Sequence, residues 1–310
     1  MFRKNTLVMD EMPDYFWQLI EEKGLMDYFS TDNLLFSEDI EIIILRTKSL
    51  ITESHYKRFP SLKCVIRAGS GYDNIDVTNA QNYNILVQNT PEANVNSAFE
   101  HTLSLLFALI KNHKLHNKNV LENKWRQGIK SNLEISDLKA LIVGFGRVGS
   151  KVGTFLKSLG AQVKFVDPYI DLAPWQLQGI ESISYEEGLS WTNLVSYHCP
   201  LYSQTLHYFD EQSLNYIDQA FLLNVARGAI VDIDAVLKGI EQGRLLGAGL
   251  DVMESEPWKC EGWEDSPKII MTPHTGARTE KAKDRLSRDC YEVWNDFNFR
   301  NIAKYPIKVW

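Results

Sequence analysis

The amino-acid sequence predicts an α/β protein built from two doubly wound parallel sheets. Short apolar runs alternate with amphipathic stretches along almost the whole chain, as expected when each strand is followed by a helix that covers the sheet. A glycine motif typical of a strand–turn–helix unit lies near the middle of the chain. The length of 310 residues exceeds one typical domain, so two domains are expected.

The N-terminal part of the chain carries the first of these α/β units. Its four predicted strands are TLVMD (6–10), IEIIILR (40–46), LKCVIRA (62–68) and ILVQN (85–89). Each strand is a short apolar run of the kind found in buried parallel sheets. The helical patterns YFWQLIEEKGL and TESHYKRF lie between the strands. After the turn at Asn89–Pro91, one long apolar helix is predicted from about Val95 to about Leu121.

The second unit opens with the segment LIVGFGRVGSKVGTFLKSLGAQVKFVD, which spells a buried strand, a glycine turn, a helix and a second strand. Gly144, Gly146 and Gly149 form the pattern GxGxxG. The first glycine of this pattern allows a tight turn, the second lets the backbone approach a pyrophosphate, and the third allows close packing of the helix. Arg147 and Val148 stand at the helix start, where free N–H groups bind phosphates.

An acidic residue at the tip of the second strand strengthens this interpretation. Asp167 lies 18 residues after Gly149 (167 − 149), where a carboxylate can accept hydrogen bonds from the ribose hydroxyls. A carboxylate there disfavours a 2′-phosphate, so NAD is expected in preference to NADP. A bare GxGxxG also occurs in ordinary βα turns, but strand, helix and acid together predict a dinucleotide-binding, Rossmann-type domain.

The rest of the second unit repeats the alternation of strand and helix. Its further strands are predicted at LVSYHC (194–199), AFLLNV (220–225), GAGLDV (247–252) and KIIMT (268–272). The tail TEKAKDRLSRDCYEVWNDFNF is helical and has no strand partner of its own. It is therefore expected to pack on the first unit.

Composition excludes several classes of function. The net charge of −7 gives no basic face, so no nucleic-acid partner is expected. The N-terminus turns acidic where a signal peptide is apolar, and no 18 apolar residues run together, so neither export nor membrane insertion is expected. Four scattered cysteines indicate neither disulfides nor a zinc site, which fits the cytoplasm. The histidines lack a matching set of ligands, so no metal is predicted.

Three chemically complementary residues follow strands in the last third of the chain. They are Arg227 in NVARGAIVD, Glu256 in LDVMESEP and His274 in MTPHTGA. In doubly wound sheets the carboxyl ends of the strands converge on one crevice, so these side chains are expected to meet. Each also has a structural reading: a hydrogen-bonded histidine, an arginine that closes a turn, and a glutamate that caps a loop.

This trio fits hydride transfer at a 2-hydroxy or 2-oxo acid. Histidine ordinarily titrates near neutrality, so His274 is suited to exchange the proton of the reacting oxygen. A carboxylate at the other ring nitrogen fixes the tautomer, which is the role expected for Glu256. The guanidinium of Arg227 can grip a substrate carboxylate with two parallel donors and polarise the reacting carbonyl.

The chain resembles the D-isomer-specific 2-hydroxyacid dehydrogenases along nearly its whole length. The matching stretches are RAGSGYDNID (67–76), NTPEANVNSAFEHTL (89–103), VGFGRVG, YHCPL (197–201), NVARGAIVD (224–232), GAGLDVMESEP and TPHTGA. The resemblance implies a substrate-binding domain from residues 1–96 and 280–310 and an NAD-binding Rossmann domain from residues 97–279. It also implies flavodoxin-like and Rossmann-like sheets, a cleft between the domains, and a homodimer.

The same resemblance assigns roles residue by residue. It implies that Arg227, Glu256 and His274 are catalytic, and that Ser70 and Gly71 offer backbone N–H groups to the substrate carboxylate. It implies that Asp251 meets the nicotinamide carboxamide and that His198 lies near the adenine. The implied cofactor-binding set is completed by Pro200, Ala226 and Gly276.

Within the family, RAGSGYDNID is most similar to the phosphoglycerate dehydrogenase branch of serine biosynthesis. Arg67 precedes the Gly69-Ser70-Gly71 loop and is expected to bind a phosphate at the distal end of the substrate, unless it is only a solvated cation at a strand end. The leading reaction is therefore the interconversion of D-3-phosphoglycerate and 3-phosphohydroxypyruvate. The alternatives are reduction of glyoxylate, hydroxypyruvate or another short 2-oxo acid, or an NAD-sensing protein like the family's corepressors.

Overall fold

The chain divides into two compact units in the computed structural model, which describes residues 4–31, 38–129, 131–259 and 266–307. The first unit comprises Met1–Val95 and Ala277–Trp310, and the second comprises Asn96–Gly276. Each unit contains one parallel sheet. The boundaries expected from the sequence, after residue 96 and before residue 280, lie close to those of the two units.

The first unit has a five-stranded parallel sheet in the spatial order β2-β1-β3-β4-β5. Its strands are β1 (Thr6–Val8), β2 (Phe29–Ser30), β3 (Ile42–Leu45), β4 (Cys64–Arg67) and β5 (Leu86–Asn89). This order is the flavodoxin-like variant of a doubly wound sheet. Four of the strands match the predicted segments, whereas β2 was not predicted because two residues are too few to show a periodicity.

Helices cover both faces of this sheet because successive strand residues point to opposite sides. In β3, Ile42 and Ile44 pack in one apolar cluster and Ile43 and Leu45 pack in the other. The helices of the unit are α1 (Asp14–Glu22), α2 (Glu53–Arg58), α3 (Val77–Asn82) and the C-terminal helix (Glu280–Arg300).

The C-terminal helix belongs to the core of the first unit, as expected for the helical tail. Trp294 of this helix is fully buried, and its ring lies 4.7 Å from that of Phe29. Its indole Nε1 donates a hydrogen bond of 2.9 Å to the hydroxyl of Thr6 in β1. The last segment of the chain thereby completes the sheet that the first segment begins.

The second unit has a seven-stranded parallel sheet in the spatial order β12-β11-β10-β9-β6-β7-β8. Its strands are β6 (Lys139–Val143), β7 (Gln162–Val166), β8 (Glu181–Ser182), β9 (Leu194–Tyr197), β10 (Ala220–Asn224), β11 (Leu245–Leu250) and β12 (Ile269–Met271). Winding starts at β6, runs to one edge, and resumes from β9 towards the other edge. The β6–β9 boundary is therefore the topological switch point, where doubly wound sheets bind their ligands.

The predicted long helix from Val95 to Leu121 is wrong, because the structure contains two helices there. The helices of the second unit are α4 (Val95–Ile110), α5 (His113–Leu121), α6 (Arg147–Ser158), α7 (Ala173–Gln176), α8 (Tyr185–Trp191) and α9 (Ile233–Glu241). The break lies at Asn112, whose backbone has a φ of 50°. Asparagine tolerates this left-handed conformation better than most residues, and the conformation ends a right-handed helix.

Within the described parts of the chain, none of the helices has the length and apolar composition that crossing a membrane requires.

Candidate functional site

The glycine motif forms a tight cradle at the switch point. Gly144 follows β6 with a φ of 87°, and a Cβ added there would lie 2.5 Å from the backbone nitrogen of Cys199. A Cβ on Gly149 would lie 2.0 Å from the carbonyl oxygen of Gly144. Gly146 caps the N-terminus of α6 and has open space around its Cβ position. The motif therefore leaves room for a pyrophosphate beside free backbone N–H groups, as NAD binding requires.

Asp167 stands beside this cradle at the end of β7. One carboxylate oxygen accepts a hydrogen bond of 2.8 Å from the backbone N–H of Phe145, inside the glycine motif. The other oxygen accepts a bond of 3.0 Å from the N–H of Tyr169. Residues 168–173 contain neither lysine nor arginine, so this loop supplies no cation for a 2′-phosphate. The local chemistry fits NAD.

His198 follows β9 on the other side of the switch point. Its backbone N–H donates to the carbonyl of Val143 at 2.7 Å, which ties the loop to the end of β6. Its Nε2 lies 2.8 Å from the hydroxyl of Ser196. Burial lowers the pKa of His198 to about 4, so the ring is neutral near pH 7. It is therefore unsuited to donate protons, and its place near the adenine, next to Pro200, stays a prediction.

His274 and Glu256, which were predicted to pair, are in direct contact. The loops that bear Arg227, Glu256 and His274 follow β10, β11 and β12, which are neighbours in the sheet and end in register. The Nδ1 of His274 lies 2.8 Å from a carboxylate oxygen of Glu256. The second oxygen of Glu256 accepts a bond of 3.2 Å from the N–H of Met253. The carboxylate is therefore held from two sides, and the contact with Glu256 is made by Nδ1 and not by Nε2 of His274.

The backbone at His274 adopts a conformation that few residues other than glycine take. Its φ is 52°, in the left-handed region. The His274 N–H donates to the carbonyl of Asp251 at 2.7 Å and contacts the carbonyl of Thr272 at 3.0 Å. Strained backbone of this kind is concentrated at functional sites, where the surroundings enforce it.

Arg227 lies in the loop that precedes a short 3₁₀ turn, Gly228–Ile230. Its Nη1 donates to the carbonyl of Ala226 at 2.7 Å, and its own carbonyl accepts from the side chain of Asn224 at 2.8 Å. A Cβ on Gly228 would lie 1.9 Å from the carbonyl carbon of Met253. The loop of Arg227 therefore packs directly against the loop that carries Glu256.

Asp251 is buried and organises the loop of His274. The residue is 2% exposed. Its carboxylate accepts from the hydroxyl of Thr272 at 2.5 Å and from the N–H groups of Thr275 and Gly276, each at 2.8 Å. Burial raises the pKa of Asp251, but hydrogen bonds from His101, Thr272, Thr275 and Gly276 outweigh that effect and lower the pKa. The contact of Asp251 with the carboxamide stays a prediction.

The predicted substrate residues Arg67, Ser70 and Gly71 lie in the first unit, at the loop that follows β4. Arg67 is 7% exposed, so it is not a solvated cation. Its Nη1 donates to the carbonyl of Ala68 at 3.2 Å, and a Cβ on Gly69 would lie 1.5 Å from this nitrogen. The carbonyl of Ser70 accepts from the Asn89 side chain at 2.6 Å. Glycine at 69 therefore makes room for the guanidinium beneath the loop that continues to Gly71.

A second loop with cations, not predicted from the sequence, follows the adjacent strand. Leu45 at the end of β3 is paired with Arg67, and Arg46 and Lys48 follow it by one and three positions. Asp10 fixes this loop by accepting from the N–H groups of Arg46 at 2.7 Å, Lys48 at 3.2 Å and Ser49 at 3.3 Å. The loops after β3 and β4 lie side by side because these two strands pair in the sheet, and the strand order is known only from the structure.

No group of three or more histidine, cysteine or acidic side chains suited to a metal ion is found among the residues that the structure describes.

Comparison with known proteins identifies the family. Residues 103–276 match the sequence model of the D-isomer specific 2-hydroxyacid dehydrogenase, NAD binding domain. This match covers more than half of the chain. The chain belongs to this family. The family's cofactor is NAD, in agreement with the glycine motif and Asp167.

Two curated family members illustrate the relationship. D-3-phosphoglycerate dehydrogenase of Bacillus subtilis (strain 168) is 31% identical over 288 residues, which cover 91% of this chain and 54% of that protein. The protein of the same name from Mycobacterium tuberculosis (strain ATCC 25618 / H37Rv) is 32% identical over 255 residues, 82% of this chain and 48% of that one. The chain thus spans about half the length of these relatives.

A solved family structure has the same fold. The D-lactate dehydrogenase from Aquifex aeolicus, complexed with NAD and lactic acid, superposes with a TM-score of 0.86 over 98% of this chain and 99% of that one. The identity between the two sequences is 24%, so the match bears on the fold alone.

Proposed function

We propose that the chain is an NAD-dependent D-2-hydroxyacid dehydrogenase whose preferred pair is D-3-phosphoglycerate and 3-phosphohydroxypyruvate. The observation that carries this proposal is the 2.8 Å contact between His274 Nδ1 and Glu256. It lies in the same unit as the dinucleotide motif, one strand away from the loop of Arg227. An imidazole, its carboxylate and a guanidinium are the groups that oxidation of a 2-hydroxy acid requires.

Gly144, Gly146 and Gly149 would hold the pyrophosphate of NAD and Asp167 its ribose, and the bound cofactor would supply the hydride acceptor. Glu256 keeps the His274 proton on Nδ1, so Nε2 is the acceptor that faces the substrate hydroxyl. In the oxidative direction the hydroxyl proton passes to Nε2 of His274 while C2 loses its hydride. Arg227 binds the substrate carboxylate and stabilises the carbonyl oxygen that forms.

The preference for a phosphorylated substrate rests on Arg67 and on the relatives. The curated relatives at 31 and 32% identity are named D-3-phosphoglycerate dehydrogenase. Arg67 underlies the Gly69-Ser70-Gly71 loop that we propose binds the substrate carboxylate. A charge-assisted contact of the guanidinium with a distal phosphate contributes about 1.5 to 3 kcal/mol.

Turnover of a panel of D-2-hydroxy acids, followed as NADH formation, tests the reaction. His274→Asn is expected to lower kcat by about 10²- to 10⁴-fold on every acid, because the proton acceptor is lost. His207→Asn is the matched control, since His207 also pairs with a glutamate, Glu254, at 3.2 Å in the same unit. Undiminished turnover by His274→Asn, or no turnover of any acid by the wild type, would refute the proposal.

The substrate preference is tested separately with Arg67→Met, which keeps much of the side-chain volume and removes the charge. We expect kcat/KM for phosphoglycerate to fall about ten- to a hundredfold, while kcat/KM for glycerate or lactate stays unchanged. Arg58→Met on α2 is the control. An equal loss on all acids would assign Arg67 a structural role.

A second candidate function is reduction of a short, unphosphorylated 2-oxo acid such as glyoxylate or hydroxypyruvate. The burial of Arg67 and its hydrogen bond to the Ala68 carbonyl favour this alternative, because they give the guanidinium a structural partner. The Arg67→Met comparison decides between the two substrates.

We also propose that the enzyme works as a homodimer, as the resemblance to the family implies, and in the cytoplasm, as the scattered cysteines indicate. Sedimentation equilibrium at micromolar concentration measures the assembly. A monomer at all concentrations would contradict the dimer.

A further inference from the structure

The helix α4 presents two buried or half-buried polar side chains to the loop that carries His274. Ser97 and His101 are four residues apart and therefore lie on the same face of the helix. The hydroxyl of Ser97, which is 4% exposed, donates to the carbonyl of Gly276 at 2.6 Å. The Nε2 of His101 lies 2.9 Å from the hydroxyl of Thr272 and 3.1 Å from a carboxylate oxygen of Asp251. The two side chains thus hold the loop at both of its ends.

The direction of these hydrogen bonds follows from the acceptors. Hydrogen bonding holds the pKa of Asp251 below its usual range, so its carboxylate is ionised and can only accept. The Thr272 hydroxyl therefore donates to Asp251 at 2.5 Å and uses a lone pair towards His101. Nε2 of His101 accordingly carries a hydrogen, which it shares between Thr272 and Asp251.

The loop between these anchors contains the left-handed turn at His274. The His274 N–H donates to the carbonyl of Asp251 at 2.7 Å, and the N–H groups of Thr275 and Gly276 donate to its carboxylate at 2.8 Å. A turn of this kind at a residue other than glycine persists only when the surroundings over-determine it. Here the surroundings are Asp251 below the loop and α4 beside it.

We infer that Ser97 and His101 are positioning residues, which fix the Thr272–Gly276 loop through Asp251 so that the His274 ring stays paired with Glu256. Neither side chain is assigned a contact with the reacting atoms. The inference rests on the proposed role of His274 for its effect on turnover, but its structural part is independent of the reaction.

The test compares four variants of the 310-residue chain. His101→Leu removes the donor, and His101→Gln restores one, because the glutamine amide nitrogen takes the place of Nε2. Ser97→Ala removes the second anchor. Glu100→Gln, at an exposed position of the same helix, is the matched control.

The first readout is the NMR signal of the His274 ring proton on Nδ1, which is assigned by its loss in His274→Asn. Pairing with Glu256 protects this proton from exchange with water. We expect the signal to be lost or broadened in His101→Leu and weakened in Ser97→Ala. In His101→Gln and Glu100→Gln it should remain.

The second readout is kinetic. In His101→Leu we expect kcat to fall about tenfold to a hundredfold with a smaller change in KM for NAD, because a misplaced acid–base group affects the transition state most. His101→Gln should recover most of the lost kcat, a rescue that a purely space-filling role of the ring would not show.

An unchanged His274 signal in both His101→Leu and Ser97→Ala would overturn the inference. If the wild type oxidises none of the acids, the proposed function fails, and the NMR comparison still decides the role of α4. If His101→Leu does not fold, Ser97→Ala against Glu100→Gln carries the same test.

Discussion

Two histidines that follow the carboxyl ends of strands in the second unit, His198 after β9 and His274 after β12, differ in what surrounds their rings. His198 is enclosed beside Ser196, and burial lowers its pKa to about 4. The ring of His274 is 40% exposed and pairs with Glu256. Burial favours the neutral ring, whereas a carboxylate partner orients the ring for proton exchange. The same residue type is therefore held neutral near pH 7 at one position and is proposed to exchange protons at the other.

The lowered pKa of the half-buried His198 ring makes stability depend on pH in a defined window. The unfolded chain protonates this histidine near its ordinary pKa of 6.5, while the folded protein does so only near 4. The free energy of unfolding should therefore fall as the pH drops from about 6.5 to about 4, by at most on the order of 3 kcal/mol. Urea unfolding of His198→Gln should show a flatter pH dependence than the wild type in this window. The exposed His207→Gln is the control, and an equal slope in all three proteins would contradict the prediction.

We expect the single side chain of Asp167 to set the choice between NAD and NADP. Replacing it with serine removes the carboxylate that repels a 2′-phosphate and that accepts from the ribose. We expect kcat/KM with NAD to fall about ten- to a hundredfold in Asp167→Ser, and kcat/KM with NADP to rise relative to the wild type. Asp171→Asn, four residues further on, should leave the ratio unchanged. A cofactor ratio unaltered in Asp167→Ser would mean that other groups select the cofactor.

Among the elements, the junction of α4 and α5 shows how one residue divides an apolar run. Asn112 has a φ of 50°, and its side chain donates to the side chain of Asn132 at 3.0 Å. The hydrophobic periodicity continues through this position, so periodicity alone predicts one helix. The left-handed conformation of Asn112 alone separates α4 from α5. The helix that ends there, α4, is the one that we infer positions His274.

Substitution at Asn112 tests how much the left-handed conformation at this position contributes to the free energy of unfolding. A β-branched residue is disfavoured in the left-handed region by roughly 1 to 2 kcal/mol, so Asn112→Val should lower the free energy of unfolding by that amount. Asn112→Gly should change it by less than about 0.5 kcal/mol, because glycine adopts this conformation freely. Urea unfolding at pH 7 measures both. A greater loss in Asn112→Gly than in Asn112→Val would contradict the left-handed turn.

The whole molecule consists of two units whose sheets have different strand orders, and the chain returns to the first unit at its end. Trp294 of the C-terminal helix is fully buried against the sheet and donates to Thr6. The core of the first unit therefore combines residues nearly 300 positions apart in sequence. Its stability depends on a helix that follows the whole second unit.

Truncation of this tryptophan tests how far the first unit relies on the C-terminal helix. Trp294→Ala should lower the stability of the first unit by about 3 to 5 kcal/mol, because it leaves a large cavity and removes a buried hydrogen bond. Calorimetry should show an earlier transition, while NAD still raises the temperature of the transition that involves the second unit. Tyr15→Ala, at an exposed position of α1 in the same unit, is the control, and an effect of equal size there would argue against a specific role of Trp294.

The sequence by itself determined the alternation of strands and helices, the glycine cradle and the acid at Asp167. It also determined that Arg227, Glu256 and His274 follow strands. These features are local: periodicity, turn chemistry and the spacing of a motif act within a few tens of residues.

The tertiary structure alone decided which distant groups meet. It breaks the predicted helix at Asn112, buries Arg67 beneath Gly69, and brings His101 to Thr272 across 171 positions. None of these features leaves a periodic pattern in the sequence. Packing selects one partner among many polar residues of similar propensity. Local patterns therefore specify the elements and the ends of the strands, whereas the shape of the loops around His274 depends on long-range packing and hydrogen bonding.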